Sequence, residues 1–340
     1  MLIRAKAPLR ISFAGGGTDV PPFSENEGGL VINATINKYA YGTLQPMKNR
    51  RIKIESVDFG VSMDYDIDQR LIYDGKLDLV KAAIHKMKGF KSKGFSLFLH
   101  SDVPPGSGLG SSSAMMVALV GLLKEFRGMP LTDYEIANIA YEIERKELAI
   151  KGGLQDQYAA TFGGFNFIEF YKDRVIVNPL RVSKDTINEL EHNLLLCYTG
   201  KTRFSDNIII DQIRRYKSKD QDALLGLQKQ KEFAVEMKNA LLQRNLNDFG
   251  ALLHQAWKFK KKMSNKISNP FIDEIYNMAR DYGALGGKIT GAGGGGYLLF
   301  YCRPQLKHKV AQALSKRGIL ITDFTFESDG LQTWRINHDE

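Results

Sequence analysis

The sequence has 340 residues, 43% of them hydrophobic and 25% charged, which is typical of a globular protein long enough for two domains. Its 47 Lys and Arg residues against 38 Asp and Glu residues give a net charge of +9, which leaves nucleic acid, an anionic membrane and small phosphorylated ligands as partner classes. Cys197 and Cys302 each lie in an apolar run, so we expect buried thiols in a reducing compartment and no disulfide framework.

No targeting segment or membrane span is predicted. Arg4, Lys6 and Arg10 interrupt any apolar core that a signal peptide would need, and the longest apolar run, residues 114–123, is too short to cross a bilayer. The densest basic cluster, residues 258–262, is interpreted as the solvated face of a helix, since no nucleic-acid motif surrounds it. We therefore expect a cytoplasmic protein that binds neither nucleic acid nor a membrane.

The predicted elements mix strands and helices along the chain. The first part is expected to contain strands at residues 2–13, 30–41, 42–46, 51–56 and 60–65, a helix at 77–87, a strand at 95–100, helices at 114–126 and 132–148, a helical turn at 159–160 and strands at 166–170 and 175–179. The second part is expected to contain a strand at 193–198, helices at 205–216, 222–244, 246–263 and 270–282, a strand at 297–302, a helix at 305–315 and strands at 320–325 and 333–337. This order favours an α+β protein with a domain boundary between residues 180 and 190.

Two local features refine these elements. Pro8 has no backbone N–H to donate, so it is expected to interrupt the first strand near an edge. Thr132 and Glu135 have the spacing of a capping box, in which each residue's side chain accepts from the other's backbone N–H. The box predicts the start of the helix at 132–148.

The segment from Pro104 to Ala114 connects a predicted strand to a predicted helix. Its glycines allow a tight turn and a close approach to a ligand, and the unpaired N–H groups at the helix start favour an anion. Its serine hydroxyls are suited to phosphate oxygens or a Mg²⁺ ion. A phosphate site is therefore predicted at Pro105, Gly106, Ser107, Gly108, Leu109, Gly110, Ser111, Ser112 and Ser113. The alternative is a flexible turn with a serine N-cap.

Two common nucleotide motifs are excluded. The Walker A string does not occur in the sequence. A G-x-G-x-x-G match occurs at Gly291, Gly293 and Gly296, but the apolar run at 297–302 that follows it is predicted to be a strand. Since the dinucleotide fingerprint requires a helix after the glycines, neither a P-loop NTPase nor a Rossmann dehydrogenase is expected.

Three separated motifs together resemble those of the GHMP kinase superfamily. They are Ala7-Pro-Leu-Arg-Ile-Ser-Phe-Ala-Gly-Gly-Gly-Thr-Asp19, the segment Pro104–Ala114, and Lys288-Ile-Thr-Gly-Ala-Gly-Gly-Gly-Gly296. The first motif is most similar to that of the D-glycero-D-manno-heptose 7-phosphate kinases, whereas bacterial fucose kinases usually have Trp where Gly17 stands. The resemblance covers nearly the whole chain.

The resemblance implies a fold and a set of ligands. It implies an ATP-binding N-terminal domain at residues 1–185, with a left-handed β-α-β crossover, and a ferredoxin-like C-terminal domain at residues 186–340. It implies that ATP and Mg²⁺ bind in the cleft between the domains. Gly291, Gly293 and Gly294 of the third motif would close over the nucleotide phosphates.

Catalytic and metal-binding residues are carried over from the motifs. Asp156 matches the catalytic aspartate, and Arg10 matches the basic residue beside it; the alternatives are a turn-forming aspartate and a surface arginine. Ser112 and Glu144 match the two Mg²⁺ ligands. Glu142 and Glu147 compete with Glu144, because helical phase cannot be fixed from sequence.

The acceptor site is expected at the first motif and at one basic loop. Asp19 matches the family's sugar-hydroxyl ligand, and galactokinase has Glu-His where Gly16 and Gly17 stand, so the sugar pocket has room for a larger acceptor. A phosphorylated acceptor needs a second anion site, for which the segment 199–204 is the candidate. The predicted acceptor-binding residues are Asp19, Gly16, Gly17, Thr18, Lys201 and Arg203.

The resemblance implies ATP-dependent phosphorylation of the anomeric hydroxyl of a sugar phosphate, heptose 7-phosphate first. A free-sugar kinase for fucose is the alternative within the same fold, and a non-catalytic sugar-binding regulator is the alternative outside enzymes. The retained Asp156, Ser112 and third motif favour an enzyme. A sugar phosphate and ATP are the expected partners, and a homodimer is left open.

Overall fold

The computed structural model describes residues 1–87, 93–200 and 206–337. Its strands are β1 (Leu2–Ala14), β2 (Gly29–Pro46), β3 (Arg51–Ser56), β4 (Val61–Asp66), β5 (Phe95–Ser101), β6 (Phe165–Phe170), β7 (Val175–Pro179), β8 (Leu194–Tyr198), β9 (Ala284–Ile289), β10 (Tyr297–Cys302), β11 (Leu320–Thr322) and β12 (Gln332–Ile336). Its helices are α1 (Phe23–Asn26), α2 (Asp78–Lys86), α3 (Ser111–Arg127), α4 (Asp133–Tyr141), α5 (Gln155–Phe162), α6 (Lys184–Asn193), α7 (Asp206–Lys217), α8 (Gln221–Leu242), α9 (Leu246–Met263), α10 (Pro270–Asp281) and α11 (Pro304–Lys316). A π-helical turn, Glu142–Glu147, continues α4.

The larger sheet has eight strands in the order β12-β1-β2-β5-β3-β4, with β6 joined to β2 and β7 joined to β6. Strand β2 is 18 residues long and pairs with β6 along its first part and with β5 along its last part. Strands β3 and β5 pair in parallel, so the chain between them crosses over through β4 and α2. Because β2 pairs with both β1 and β5, one sheet supports the loop after β1 and the loop after β5.

Helix α3 forms the centre of the N-terminal core. It packs against β1, β2 and α5, and most of its side chains are buried and apolar, as is expected for a helix with no solvent-facing stripe. Burying a large aliphatic side chain stabilises a fold by about 1.5–3 kcal/mol. The loop that precedes α3 is therefore anchored on a firmly packed helix.

The smaller sheet has the order β11-β8-β10-β9 and is antiparallel throughout. Helix α9 crosses β9 so closely that a Cβ atom added to Gly286 would overlap the backbone oxygen of Gly250. Glycine in a strand often marks such a close approach of two backbones. After β11 the chain returns to the larger sheet, where β12 pairs with β1.

The structure confirms the α+β class and most of the predicted elements. The β3–β4 hairpin and the Thr132–Glu135 capping box are present, and the 291–296 glycines lead into strand β10. Pro8 stands where the ladder is interrupted, since β12 pairs with β1 only as far as Lys6 and the pairing with β2 shifts register after Pro8. The domain boundary between residues 185 and 186 stays a prediction.

Several expectations need correction. The segment 132–148 is not a single α-helix, because it changes to π-helix at Glu142. The N-cap of α3 is Gly110 without a side-chain cap, not a serine, and α3 begins at Ser111 instead of Ala114. Helices α1 and α6 and strand β9 were not predicted. None of the helices in the described ranges is long and apolar enough to cross a membrane.

Candidate active site

The loop before α3 has the backbone geometry of an anion site. Gly106, Gly108 and Gly110 have φ values of 74°, 85° and 78°, which lie in the left-handed region that side chains disfavour. Gly110 is the N-cap of α3, so the unpaired N–H groups of the first helical turn follow the loop directly. Of the predicted phosphate-binding residues, Pro105, Gly106 and Ser112 are exposed, whereas Ser107, Leu109, Ser111 and Ser113 are buried.

The third motif lies directly against this loop. A Cβ atom on Gly291 would lie 2.7 Å from the Gly108 Cα, and the Thr290 hydroxyl donates to the Gly108 oxygen over 3.0 Å. Gly293 and Gly294 lie against Ile267, whose oxygen accepts from the Gly294 N–H over 2.9 Å. The two glycine-rich loops also meet at Gly296, where a Cβ atom would overlap the Ser107 oxygen.

Asp156 and Arg10 form an ion pair at the edge of the phosphate loop. The Arg10 Nε and Nη2 atoms each lie 2.7 Å from Asp156 Oδ1, and Nη1 donates to the Gly108 oxygen over 2.8 Å. A Cβ atom on Gly110 would lie 3.4 Å from the Asp156 carboxylate. The structure thus places the carboxylate at the start of α3, with the guanidinium fixing its orientation.

Asp19 is buried, and its carboxyl interacts electrostatically with Asp156. Its Oδ1 accepts from the Gly17 N–H over 2.9 Å and its Oδ2 from the Gln155 N–H over 3.1 Å. Burial raises the pKa of the Asp19 carboxyl, and the nearby charge of Asp156 raises it further. A Cβ atom on Gly153 would overlap Asp19, so the glycine turn before α5 is needed for this contact.

Thr18 and Gly17, which precede Asp19 in the first motif, contact different parts of the chain. The Thr18 hydroxyl donates to the Gly15 oxygen over 2.8 Å and accepts from the Leu30 N–H over 3.0 Å, so it holds its own loop together. Gly17 has a φ of 104°, and a Cβ atom there would overlap the Met263 methyl group. The positive φ and the nearby methyl group therefore disfavour any side chain at this position.

Gly16 is surrounded by polar groups. A Cβ atom there would lie 3.4 Å from Ser12 Oγ, 3.5 Å from Gln155 Nε2 and 3.5 Å from Lys260 Nζ. Within the described ranges, Ser12 Oγ and the side-chain oxygen of Gln155 have no hydrogen-bond partner although both are buried. Unpartnered buried polar atoms of this kind are expected where a polar ligand binds.

Lys260 is a site residue that the sequence reasoning missed. Its side chain is only 3% exposed, and Nζ donates to the Gly291 oxygen over 2.8 Å. Burial lowers its pKa to about 8; the positive charge of Arg10 also lowers it, and the charges of Asp19 and Asp156 oppose that shift. The interpretation of residues 258–262 as a solvated helix face is therefore wrong for Lys260.

A sequence signal for Lys260 was available. It stands three residues before Met263 and seven after Leu253, in register with the buried stripe of α9, whereas Lys258 and Lys262 are exposed. A second buried lysine, Lys288, donates to the Ser12 backbone oxygen, and burial together with the charges of Lys260 and Arg10 holds its pKa well below the usual range.

Glu144 faces the phosphate loop, and its two competitors do not. It is 1% exposed and accepts from the hydroxyls of Ser112 over 3.1 Å and Ser113 over 2.7 Å, and from the Gln157 amide. Glu142 pairs with Lys86 and Lys146, and Glu147 contacts Tyr73 and His85. The π-helical turn changes the rotation per residue, which explains why α-helical phase alone could not select among the three.

Ser112 and Glu144 have the chemistry of a Mg²⁺ site. A hydroxyl and a carboxylate are hard oxygen ligands, and Mg²⁺ usually binds one or two protein groups together with substrate phosphates and water. Within the described ranges, no group of three or more His, Cys, Asp or Glu side chains could hold a metal ion. The residues fit an ion that arrives with a nucleotide better than a permanent metal site.

Lys201 and Arg203, the predicted acceptor-phosphate residues, lie outside the described residues.

Comparison with known proteins identifies the family. Residues 78–164 match the model of the GHMP kinases N terminal domain, and residues 237–320 match the model of the GHMP kinases C terminal domain. A D-glycero-alpha-D-manno-heptose 7-phosphate kinase from Campylobacter jejuni is 41% identical over 98% of this chain and 99% of that protein. The chain belongs to the GHMP kinases.

A solved structure of a GHMP kinase agrees over the full length. The structure described as a D-glycero-D-manno-heptose 1-phosphate kinase from Bacteroides thetaiotaomicron is 36% identical, with a TM-score of 0.83, and covers 98% of this chain and 99% of that one. An L-fucokinase/L-fucose-1-P guanylyltransferase from Bacteroides fragilis is 27% identical over 98% of this chain but only 38% of that protein. GHMP kinases are phosphotransferases with ATP as phosphoryl donor, so the expected family, fold and enzyme class are confirmed.

Proposed function

We propose that this chain transfers the γ-phosphoryl group of ATP to the anomeric hydroxyl of D-glycero-D-manno-heptose 7-phosphate and forms the 1,7-bisphosphate. The observation that carries the proposal is the Arg10–Asp156 pair, which contacts the phosphate loop at the Gly108 oxygen and lies near enough to the buried Asp19 for the two carboxylates to interact. The 41% identity to the Campylobacter jejuni heptose 7-phosphate kinase, over nearly the whole of both chains, supports the choice of acceptor.

On the donor side, the backbone does most of the binding. The N–H groups of the loop from Pro105 to Gly110 and of the first turn of α3 are suited to the phosphate oxygens of ATP. Ser112 and Glu144 would hold Mg²⁺, which when bound neutralises charge on those oxygens. Gly291 brings the third motif against the same loop and so limits water access to the phosphates.

On the acceptor side, Asp156 orients the attacking hydroxyl and accepts its proton. Phosphoryl transfer passes through a loose transition state, so the position of the hydroxyl and the neutralisation of charge supply most of the acceleration. Arg10 holds the carboxylate in place through two contacts of 2.7 Å. A general base in this position contributes about 10²–10⁴-fold to the rate.

Asp19 selects the acceptor as a sugar. Its two backbone N–H partners hold the carboxylate in a fixed position, from which its remaining lone pairs can accept sugar hydroxyl protons. A buried carboxylate left unpaired disfavours acceptors that lack the matching hydroxyl. Gly16 and Gly17 add no side chain beside it, and Lys201 and Arg203 would bind the acceptor's phosphate.

A fucose 1-kinase is the second candidate, and one observation bears on it. The matched part of the Bacteroides fragilis L-fucokinase/L-fucose-1-P guanylyltransferase is 27% identical to this chain. Gly17, where the fucose kinases usually have Trp, lies against Met263 with no room for a large side chain. The heptose phosphate is therefore favoured.

The metal ion, the cellular location and the oligomeric state are part of the same proposal. Magnesium is the proposed metal because Ser112 and Glu144 offer oxygen ligands beside the phosphate loop. The cytoplasm is the proposed location, since Cys197 and Cys302 are buried free thiols and the reaction consumes ATP. A homodimer is the assembly that we would test first.

A panel of acceptors tests the proposal. ADP release is measured with heptose 7-phosphate, the unphosphorylated heptose, fucose and galactose at equal concentrations. The expected result is a kcat/KM for heptose 7-phosphate at least about tenfold above every free sugar, because a phosphate held by one guanidinium contributes roughly 1.5–3 kcal/mol. A free sugar that serves equally well would contradict the proposal.

A further inference from the structure

Lys260 lies at the junction of the donor and acceptor loops. Its Nζ is 2.8 Å from the Gly291 oxygen of the third motif, and a Cβ atom on Gly16 of the first motif would lie 3.5 Å from it. The side chain is 3% exposed and reaches this junction from helix α9, which belongs to neither loop. One cation therefore faces the nucleotide side and the sugar side together.

The ammonium group has donors to spare. An ammonium carries three N–H donors, and the Gly291 oxygen is the one acceptor of Lys260 in the described part of the chain. No carboxylate there lies within ion-pair distance of it. Burying a cation costs several kcal/mol unless it is paired. Because an unpaired cation at this position would destabilise the fold, its free N–H donors indicate that an anion binds at this junction.

The nearby carboxylates already have partners. Asp156 accepts from Arg10, and Asp19 accepts from two backbone N–H groups. An anion that enters from outside the chain is therefore required. In a phosphotransferase, the anion that occupies the space between the nucleotide loop and the catalytic carboxylate is the phosphoryl group in transfer.

We propose that Lys260 is a further catalytic residue, whose ammonium group donates hydrogen bonds to the phosphoryl group as it moves from ATP to the acceptor hydroxyl. The proposal rests on the phosphotransferase function above but not on which sugar is the acceptor. A bond forms between the acceptor oxygen and the γ-phosphorus, and the bond from that phosphorus to the bridging oxygen of ADP breaks. The hydroxyl proton passes to Asp156, and Lys260 keeps its proton throughout.

The charge state of Lys260 suits this role. Four charged or titratable groups face it, namely Arg10 from β1, Asp19 from the loop after β1, Asp156 from α5 and Lys288 from β9. With a pKa of about 8 in the free enzyme, the ammonium is mostly charged at neutral pH, so kcat/KM, which reports the free enzyme, should fall as the pH rises through about 8. That limb of the pH profile should be absent in Lys260→Arg, because a guanidinium stays charged.

The test compares Lys260→Met with Lys258→Met, an exposed lysine on the same helix. Steady-state kinetics use whichever acceptor the wild type phosphorylates best, so that a wrong choice of sugar does not affect the result. We expect Lys260→Met to lower kcat by about 10²–10³-fold, which is the usual cost of removing one hydrogen-bond donor to the charge that develops in a transition state. The acceptor KM should stay within about threefold of the wild-type value. Lys258→Met should match the wild type.

Binding of Mg²⁺ with ADP and aluminium fluoride, a mimic of the phosphoryl group in transfer, gives a measurement that does not need turnover. Calorimetry should show a loss of at least about tenfold in affinity for the mimic in Lys260→Met, with the affinity for ADP alone unchanged. Equal affinities, or a kcat above about a third of wild type, would overturn the proposal. A loss confined to acceptor KM would also overturn it, since Lys260 would then hold the acceptor's own phosphate.

Lys260→Gln serves if Lys260→Met fails to fold. Its amide can still donate to the Gly291 oxygen but carries no charge, so it should also lower both kcat and the affinity for the mimic. A Lys260→Gln enzyme with wild-type values for both would contradict the proposal.

Discussion

The two sides of the active site are built in different ways. The donor side consists of backbone: one continuous loop with left-handed glycines, followed by the first turn of α3. The acceptor side consists of side chains that come from distant parts of the chain. These are Arg10 on β1, Asp19 after β1, Asp156 on α5 and Lys260 on α9.

This difference predicts how each side fails. Only a substitution by proline removes a backbone N–H group, so the donor loop is damaged mainly by adding atoms where glycines stand. On the acceptor side, removing one side chain leaves its partner without its ion pair, as Asp156 would be without Arg10. The largest effects of single substitutions are therefore expected on the acceptor side.

The largest effect is expected at Asp156. Asp156→Asn keeps the shape but cannot accept the hydroxyl proton, so kcat should fall by about 10²–10⁴-fold while the Kd for ATP stays nearly unchanged. Stopped-time assays of ADP formation and calorimetric titration of ATP measure the two quantities. A variant with more than about a third of wild-type kcat would remove Asp156 from the reaction.

The next effect concerns stability and is expected at Lys260. Its pKa is lowered from 10.5 to about 8, so between these values the unfolded chain binds more protons than the folded one. Stability therefore rises with pH across that window, and the charged form costs up to about 3 kcal/mol at neutral pH. Lys260→Met should be more stable than wild type at pH 7, by a margin that shrinks toward pH 10.

Urea unfolding at pH 7, 8.5 and 10 measures this margin, with Lys258→Met as the control. A Lys260→Met protein that is less stable than wild type at pH 7 would mean that the ammonium stabilises the fold. Lys260 would then be a structural residue and not one retained for function at the expense of stability.

The donor side could be predicted from sequence because its chemistry is local. The glycine and serine spacing of residues 104–114 lies within one turn and one helix start, and the structure has that geometry. The β3–β4 hairpin and the capping box of α4 were predictable for the same reason. Each depends on residues that are close in the sequence.

The acceptor side could be predicted only through the family resemblance, and then incompletely. Lys260 reaches the site because α9 packs against β9 where Gly250 faces Gly286, a contact that no local pattern records. Strand β9 was not predicted, since its glycines, Gly286 and Gly287, lack the side chains that give a strand its pattern. Glu144 could not be separated from Glu142 because the π-helical turn breaks the usual periodicity.

A moderate effect is expected at Arg203, which the sequence alone assigns to the acceptor phosphate. Arg203→Ala should raise the KM for heptose 7-phosphate by about 10- to 100-fold, since one charge-assisted phosphate contact contributes roughly 1.5–3 kcal/mol. The control is Arg214→Ala, an arginine on α7 that pairs with Asp211 over 2.6 Å. An unchanged KM would contradict the assignment of the acceptor phosphate to Arg203.

The smallest effect is expected at the proposed metal ligand. Glu144→Gln keeps the shape of the side chain but loses its charge and one acceptor oxygen, so the Mg²⁺ concentration for half-maximal rate should rise by about tenfold with little change in acceptor KM. Glu142→Gln, which loses only its contacts with Lys86 and Lys146, is the matched control. A larger rise in the Mg²⁺ concentration for half-maximal rate in Glu142→Gln than in Glu144→Gln would show that Glu142 holds the ion.

The position of the new phosphate ester tests the proposed reaction most directly. Phosphorus NMR of the product from ATP and heptose 7-phosphate should show a second sugar phosphate signal, coupled to the anomeric proton, beside the retained 7-phosphate signal. Release of inorganic phosphate without a new ester, or an ester at any other carbon, would contradict transfer to the anomeric hydroxyl.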